Sequence, residues 1–166
     1  MITIGSGAHV WLAQPDATCV SDTSLDTDIL SSEERQRASR FVFDHDRRLY
    51  LFAHHFLRVT LSRYLNELPS ALRFITTAYG RPELDCDGSR SILRFSLSHT
   101  DGLVACVVTD NIDCGVDAEC VDVRVDCDQL APKVLALSEA EELARVPRER
   151  ARARFFEIWT DRKSVV

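Results

Sequence analysis

No stretch of this 166-residue chain is apolar for long enough to cross a membrane as a helix, which removes helical membrane proteins from consideration. The first residues, Met1-Ile-Thr-Ile-Gly5, lack the basic region and long apolar core of a secretory signal, so a cytoplasmic protein is expected. Six cysteines are present, but no two form a CxxC pair and no histidine stands at zinc-finger spacing from them. Without an export signal, reduced thiols are the simplest account, and Cys106, inside an apolar run, reads as a small core side chain. An excess of positive charge is also lacking. The formal net charge of -6 argues against unspecific nucleic-acid binding.

What is present is an ordinary globular composition, with 45% hydrophobic residues and enough length for one substantial core or two small lobes that share one. The net charge conceals an asymmetry. Residues 31–63 carry seven arginines against four acids, whereas residues 110–128 carry seven acids against one arginine. A basic lobe facing an acidic segment is what a metal-bridged polyphosphate requires. Two charged surfaces that share no ligand would give the same pattern.

Val10-Trp-Leu-Ala13 reads as a first strand, followed by a polar stretch to about Asp28. Leu30-Ser31-Ser-Glu-Glu34 carries a staple, a cap and an acid three residues on, which predicts a helix start. Leu49, Phe52, Phe56, Val59 and Leu65 predict an amphipathic helix from Asp46 to Leu65, closed by Pro69. Arg73–Thr77 is strand-like, Tyr79-Gly-Arg-Pro82 is a turn, and Ile92–Leu97 and Leu103–Thr109 are the clearest strands. Thr109-Asp-Asn-Ile112 reads as a tight turn into a further strand that carries Asp117. Leu137-Ser138-Glu-Ala-Glu141 echoes the first helix start, which suggests duplicated lobes, and Pro147 should break and restart that helix. Phe155, Phe156 and Trp159 form an aromatic stripe that reads as core.

The chemistry concentrates in Phe95-Ser-Leu-Ser-His99-Thr-Asp and Gly115-Val-Asp117-Ala-Glu119. Alternation along an extended chain puts Asp117 and Glu119 on one side. Two hard oxygen ligands suit Mg2+, or Mn2+, completed by water and a substrate phosphate. Paired acids of this kind also occur as the wet face of an edge strand. Asp113 adds a carboxylate near the turn but reads as solvated. His99 can donate a hydrogen bond or a charge to phosphate oxygen, or serve as a polar turn residue. Among Arg35, Arg37, Arg40, Arg47 and Arg48, most read as a solvent face; Arg48 is the preferred phosphate contact, and Arg81, held between Gly80 and Pro82, is the next.

Four segments together resemble the Sfp-type 4'-phosphopantetheinyl transferases: Gly80-Arg81-Pro82, Phe95-Ser-Leu-Ser98-His99-Thr100, Gly115-Val-Asp117-Ala-Glu119 and Phe155-Phe-Glu-Ile-Trp159-Thr-Asp-Arg-Lys163. Their order and spacing match over nearly the whole chain. The resemblance implies an α/β (α+β) fold of two similar lobes related by a pseudo-twofold, here divided into 1–94, bearing the arginine-rich helices, and 95–166, bearing the metal-binding segment. It implies transfer of the 4'-phosphopantetheine arm from coenzyme A to a serine of an acyl or peptidyl carrier protein. Asp117 and Glu119 would hold Mg2+ on the pyrophosphate, Ser98 and His99 would contact coenzyme A phosphates, and Arg48 and Arg81 would hold the adenylate end. Catalytic roles would fall to His99, Asp117, Glu119 and Lys163. Coenzyme A and the carrier would be the partners, with an acidic carrier helix docking near the basic patch, and neither nucleic acid nor membrane is implied.

The last segment departs from the family pattern, which has lysine three residues and glutamate four residues after the tryptophan. Arg162 and Lys163 stand there, or Lys163 and Ser164 if Asp161 is an insertion, and neither register supplies the acid. A truncated second lobe is expected, with an open sheet edge that pairing of two chains would cover. A weakly active or inactive coenzyme A-binding or structural protein on the same scaffold is the alternative.

Overall fold

The computed structural model describes residues 2–15, 25–78, 80–86, 89–90, 92–121 and 124–164. Cys19 and Tyr79 lie outside them. Strand β1 (Ala8–Ala13) is followed by helices α1 (Ser32–Ala38) and α2 (Asp44–Leu65), then β2 (Phe74–Thr76), β3 (Pro82–Cys86) and β4 (Ser89–Arg90). The hairpin β5 (Leu93–Thr100) and β6 (Leu103–Asp110) comes next, and α3 (Cys127–Val134), α4 (Leu137–Ala144) and α5 (Arg148–Ser164) complete the order. One antiparallel sheet runs β1-β6-β5 and a smaller one β2-β3-β4. The result is an α/β fold of two similar lobes of strands and helices, consistent with a pseudo-twofold arrangement. The sequence boundary at 94/95 falls inside β5.

Registers explain the core. Trp11 lies opposite Cys106, which lies opposite Leu97; the neighbouring row is His9, Val108 and Phe95. This face meets Leu57, Leu61 and Tyr64 of α2 in the main apolar cluster, with Cys106 and Val108 fully buried. Burial pushes the Cys106 thiol up to about 12, so it is an inert core group, as its apolar context suggested. A second cluster joins Ala131, Phe155 and Phe156, with Trp159 packed against it.

Local signals behave as physics requires in α1: the Ser31 hydroxyl accepts from the Glu34 N–H at 3.2 Å, and the Glu34 carboxylate accepts from the Ser31 N–H at 2.7 Å. The echo at α4 is corrected. That helix begins at Leu137, Ala136 is its cap, and Glu139, not Glu141, takes the cap N–H at 2.6 Å. Pro147 separates α4 from α5, and its carbonyl accepts from the Arg150 and Ala151 N–H groups. The buried face of α2 is also corrected. Tyr50, Ala53, Leu57, Leu61 and Tyr64 are buried, whereas Leu49, Phe52, Phe56, Val59 and Leu65 are only half-buried. Counting apolar residues overlooked tyrosines whose polar tips find partners inside: Trp11 Nε1 donates to the Tyr64 hydroxyl at 2.6 Å.

Candidate functional site

The strand expected to carry Asp117 is not a strand. Thr109 Oγ1 hydrogen-bonds the Ile112 carbonyl, Asn111 adopts a left-handed conformation (φ 52°), and residues 113–121 then run extended beside β5 without a backbone ladder. Their N–H groups reach side chains instead: Val116 to Ser96 Oγ at 3.2 Å, Ala118 to Ser98 Oγ at 3.1 Å and Cys120 to Thr100 Oγ1 at 3.1 Å. This strap is thus fastened to β5 through side-chain hydroxyls in place of the carbonyls that a ladder would use.

The alternation expected of the acid pair survives. Lys163 Nζ lies 3.5 Å from Asp117 Oδ1 and hydrogen-bonds Glu119 Oε1, so both carboxylates converge on one point. Trp159 Nε1 donates to Glu119 Oε1 at 2.9 Å and Ser98 Oγ donates to Asp117 Oδ1 at 3.2 Å. The aromatic stripe of α5 is therefore core at Phe155 and Phe156 and a hydrogen-bond donor to the Glu119 carboxylate at Trp159. Burial alone would lower the Lys163 ammonium, but the bond to Glu119 and the two carboxylate charges outweigh it and push it up.

A cleft of about 1330 Å³ opens between α1, α2, the small sheet and β5. This exceeds the span of ~300–1,000 Å³ usual for small-molecule sites. Arg37, Arg58, Arg73, Arg81, His54 and His99 line it, together with Gly115 and Lys163. Asp117 and Glu119 lie behind Lys163 and are not part of the lining. His99, exposed at the end of β5, has its pKa lowered by the protein crowded around it and then by His54.

One wall is fixed by a buried network. Glu34 accepts from Arg58 Nε at 2.8 Å and hydrogen-bonds His54 Nδ1 at 2.9 Å. Arg58, 1% exposed, also donates to the Pro69 and Leu72 carbonyls and lies over the Phe74 ring at 5.1 Å. Burial opposes ionisation of Glu34, yet His54, the Ser31 N–H and Arg58 hold its carboxyl at about 2. The Tyr50 and His54 rings pack with centroids 4.1 Å apart and planes tilted by 33°, and Arg37 lies over the Tyr50 ring.

Sequence-derived candidates divide accordingly. Arg81 lines the cleft and fastens its turn to β5 and to the strap, donating to the Phe95 carbonyl at 3.4 Å and the Cys114 carbonyl at 2.9 Å. Its turn needs Gly80 at φ 83°, where a side chain would strain the backbone. Arg48 is absent from the lining and pairs with Asp44 at 3.2 Å. Asp113 is exposed and faces Arg81 and Arg94. Arg37, His54 and Arg58 were missed as cleft residues. Only the pairing of α1 with α2 assembles them, although an arginine inside the apolar run of α2 is a signal for a buried partner such as Glu34.

No group of three His, Cys, Asp or Glu side chains able to hold a metal is gathered among the described residues. The acid pair nevertheless fits a hard cation. Asp117 has a side chain only 10% exposed, and its Oδ2 is buried with no hydrogen-bond partner among the described residues. An unpartnered buried carboxylate oxygen is costly unless a cation takes it.

A family model described as 4'-phosphopantetheinyl transferase, N-terminal, matches residues 17–111. The 4'-phosphopantetheinyl transferase HetI of Nostoc sp. is 33% identical over 155 residues, 92% of this chain and 64% of that protein. The 4'-phosphopantetheinyl transferase AcpT of Salmonella typhi is 32% identical over 109 residues, 66% of this chain and 54% of its own length. The 4'-phosphopantetheinyl transferase Sfp of Bacillus subtilis is 24% identical over 137 residues, 82% of this chain and 58% of its own length. The chain thus spans less than two thirds of each of these relatives. With more than half of its residues inside the matching family model, the chain belongs to the 4'-phosphopantetheinyl transferase family.

Proposed function

We propose that the chain is of the Sfp type and transfers the 4'-phosphopantetheine arm of coenzyme A to a serine of an acyl or peptidyl carrier protein. The observation that carries this proposal is that Lys163, which lines a basic cleft, also contacts both members of a convergent acid pair. In the reaction the carrier serine oxygen bonds to the pantetheine-side phosphorus, the bond from that phosphorus to the bridging oxygen breaks, and adenosine 3',5'-bisphosphate leaves with the electron pair. The serine proton goes to solvent.

Arg37 and Arg81 replace Arg48 as the preferred anchors for the adenylate end, because they face the cleft and Arg48 does not. His99, largely neutral near pH 7 given its lowered pKa, offers phosphate a hydrogen bond rather than a full charge. Asp117 and Glu119 would hold Mg2+, or Mn2+, and Lys163 is the neighbouring cation that would shift to admit it. When bound, the ion neutralises charge on the diphosphate. The carrier would meet the Arg37–Arg40 face, beside which Phe41, Val42 and Phe43 are exposed. An acidic, partly apolar helix complements such a face.

A cytoplasmic setting and the division into lobes near residue 94 belong to the same proposal, as does pairing of two chains through the second lobe, which solution mass would reveal. Among the described residues Cys106, Cys114, Cys120 and Cys127 are free, and no helix is long and apolar enough to cross a membrane. The decisive assay mixes the protein with coenzyme A, Mg2+ and apo carrier protein. Conversion to holo carrier, seen as added mass on the serine, is the expected result. Coenzyme A binding with no conversion at high protein concentration would overturn the transferase reading and leave the binding alternative.

A further inference from the structure

The strap that carries the acid pair is suspended in an unusual way. Three N–H groups at alternate positions, 116, 118 and 120, donate to three hydroxyls at alternate positions of β5, 96, 98 and 100, and each donor lies twenty residues beyond its acceptor. Side chains two apart on a strand stand on the same side of it, so these hydroxyls form a rail along β5. Because the even-numbered N–H groups all point at the rail, the strap cannot rotate about its axis. The odd-numbered carboxylates, Asp117 and Glu119, therefore stay on one side and meet at Lys163.

Ser98 has a further constraint. A hydroxyl has one proton and two acceptor lone pairs. Here it accepts from the Ala118 N–H and gives its proton to Asp117 Oδ1. A phosphate oxygen ionised at neutral pH brings no proton, so Ser98 has none left to offer it while Asp117 is in place. Its arrangement serves the carboxylate, orienting Asp117 so that Oδ2 is the oxygen left without a partner.

We infer that Ser96 and Thr100 are positioning residues for the acid pair, and that Ser98 acts through Asp117 rather than on a coenzyme A phosphate. This rests on the metal-holding role given to Asp117 and Glu119 above. Hydrogen-bonding partners that orient ligating groups are worth 10–100-fold in metal affinity in other sites, so a comparable sensitivity is expected here.

The test uses the full chain and three readouts: amide hydrogen exchange at residues 116, 118 and 120, Mn2+ affinity by electron paramagnetic resonance without coenzyme A, and metal-free coenzyme A affinity. Ser96→Ala and Thr100→Val should speed exchange at Val116 and Cys120 respectively, and the double variant should bind Mn2+ about tenfold or more weakly. Thr100→Ser, which keeps the hydroxyl, should retain both properties and shows that the valine effect is not one of folding. Ser98→Ala should weaken Mn2+ binding while leaving metal-free coenzyme A affinity unchanged. Unaltered exchange or unaltered Mn2+ affinity in the double variant overturns the inference, as does a large loss of metal-free coenzyme A affinity in Ser98→Ala. Failure of the unsubstituted chain to bind Mn2+ overturns the metal assignment and this inference together, whereas binding that no rail variant changes overturns this inference alone.

Discussion

Arg58 shows how much a single residue decides here. Its guanidinium is buried, with Nε and Nη1 hydrogen-bonded and an aromatic ring against it, so desolvation is offset by one carboxylate, two carbonyls and an aromatic face. Removing it takes the arginine charge from the Glu34 carboxylate, which keeps only His54 and the Ser31 N–H, and leaves the Pro69 and Leu72 carbonyls without that donor. Arg58→Met should therefore destabilise the protein by about 3–5 kcal/mol, read from denaturant midpoints at constant slope. A loss below about 1 kcal/mol, the level of an exposed ion pair, would mean that the network is wet and not structural. In sequence Arg58 was one more basic residue on a helix. Its role depends on Glu34, twenty-four positions earlier; its place in an apolar run signals a buried partner but does not say which.

At the scale of elements, what the sequence made legible was what neighbouring residues decide. The capping box of α1, the break at Pro147 and the β5–β6 hairpin all follow from short-range chemistry. The strap was misjudged because alternation of apolar and acidic residues looks the same in a ladder strand and in an extended segment hung from hydroxyls. The short helix α3 was not foreseen; it carries Pro132 in its interior, which argues against a helix by propensity, although Asp126 caps its start. The link between α1 and α2 is an element with a prediction of its own. Val42 is 89% and Phe43 69% exposed, next to Arg40. If the carrier docks there, Val42→Ser with Phe43→Ser should raise the carrier KM about tenfold, the scale of one or two interface anchors of 1–2 kcal/mol, with the coenzyme A KM unchanged. An unchanged carrier KM would place the docking surface elsewhere.

Across the whole molecule, the titrating groups make stability fall toward acid in two stages. Burial lowers His55 and His99 below their ordinary 6.5, so the unfolded chain binds protons first and stability is lost as the pH drops through that region. Glu34 is held at about 2 against an ordinary 4.5, so its contribution is complete above 4.5 and is lost between 4.5 and 2. That second stage is on the order of 3 kcal/mol by the linkage relation. Unfolding free energies measured from pH 7 to 2.5 should show both declines, and Glu34→Gln should flatten only the lower one. A wild-type profile that is level below pH 4.5 would contradict the buried network.

At the same scale, a basic cleft and an acid pair meet at Lys163, and the account stands or falls on whether a single ligand uses both. Calorimetric titration of coenzyme A with and without Mg2+, for the unsubstituted protein and for Asp117→Ala, tests this most directly. The prediction is that Mg2+ strengthens binding to the unsubstituted protein and has no such effect on Asp117→Ala, which still binds weakly through Arg37 and Arg81. Equal Mg2+ dependence in the two proteins would contradict it.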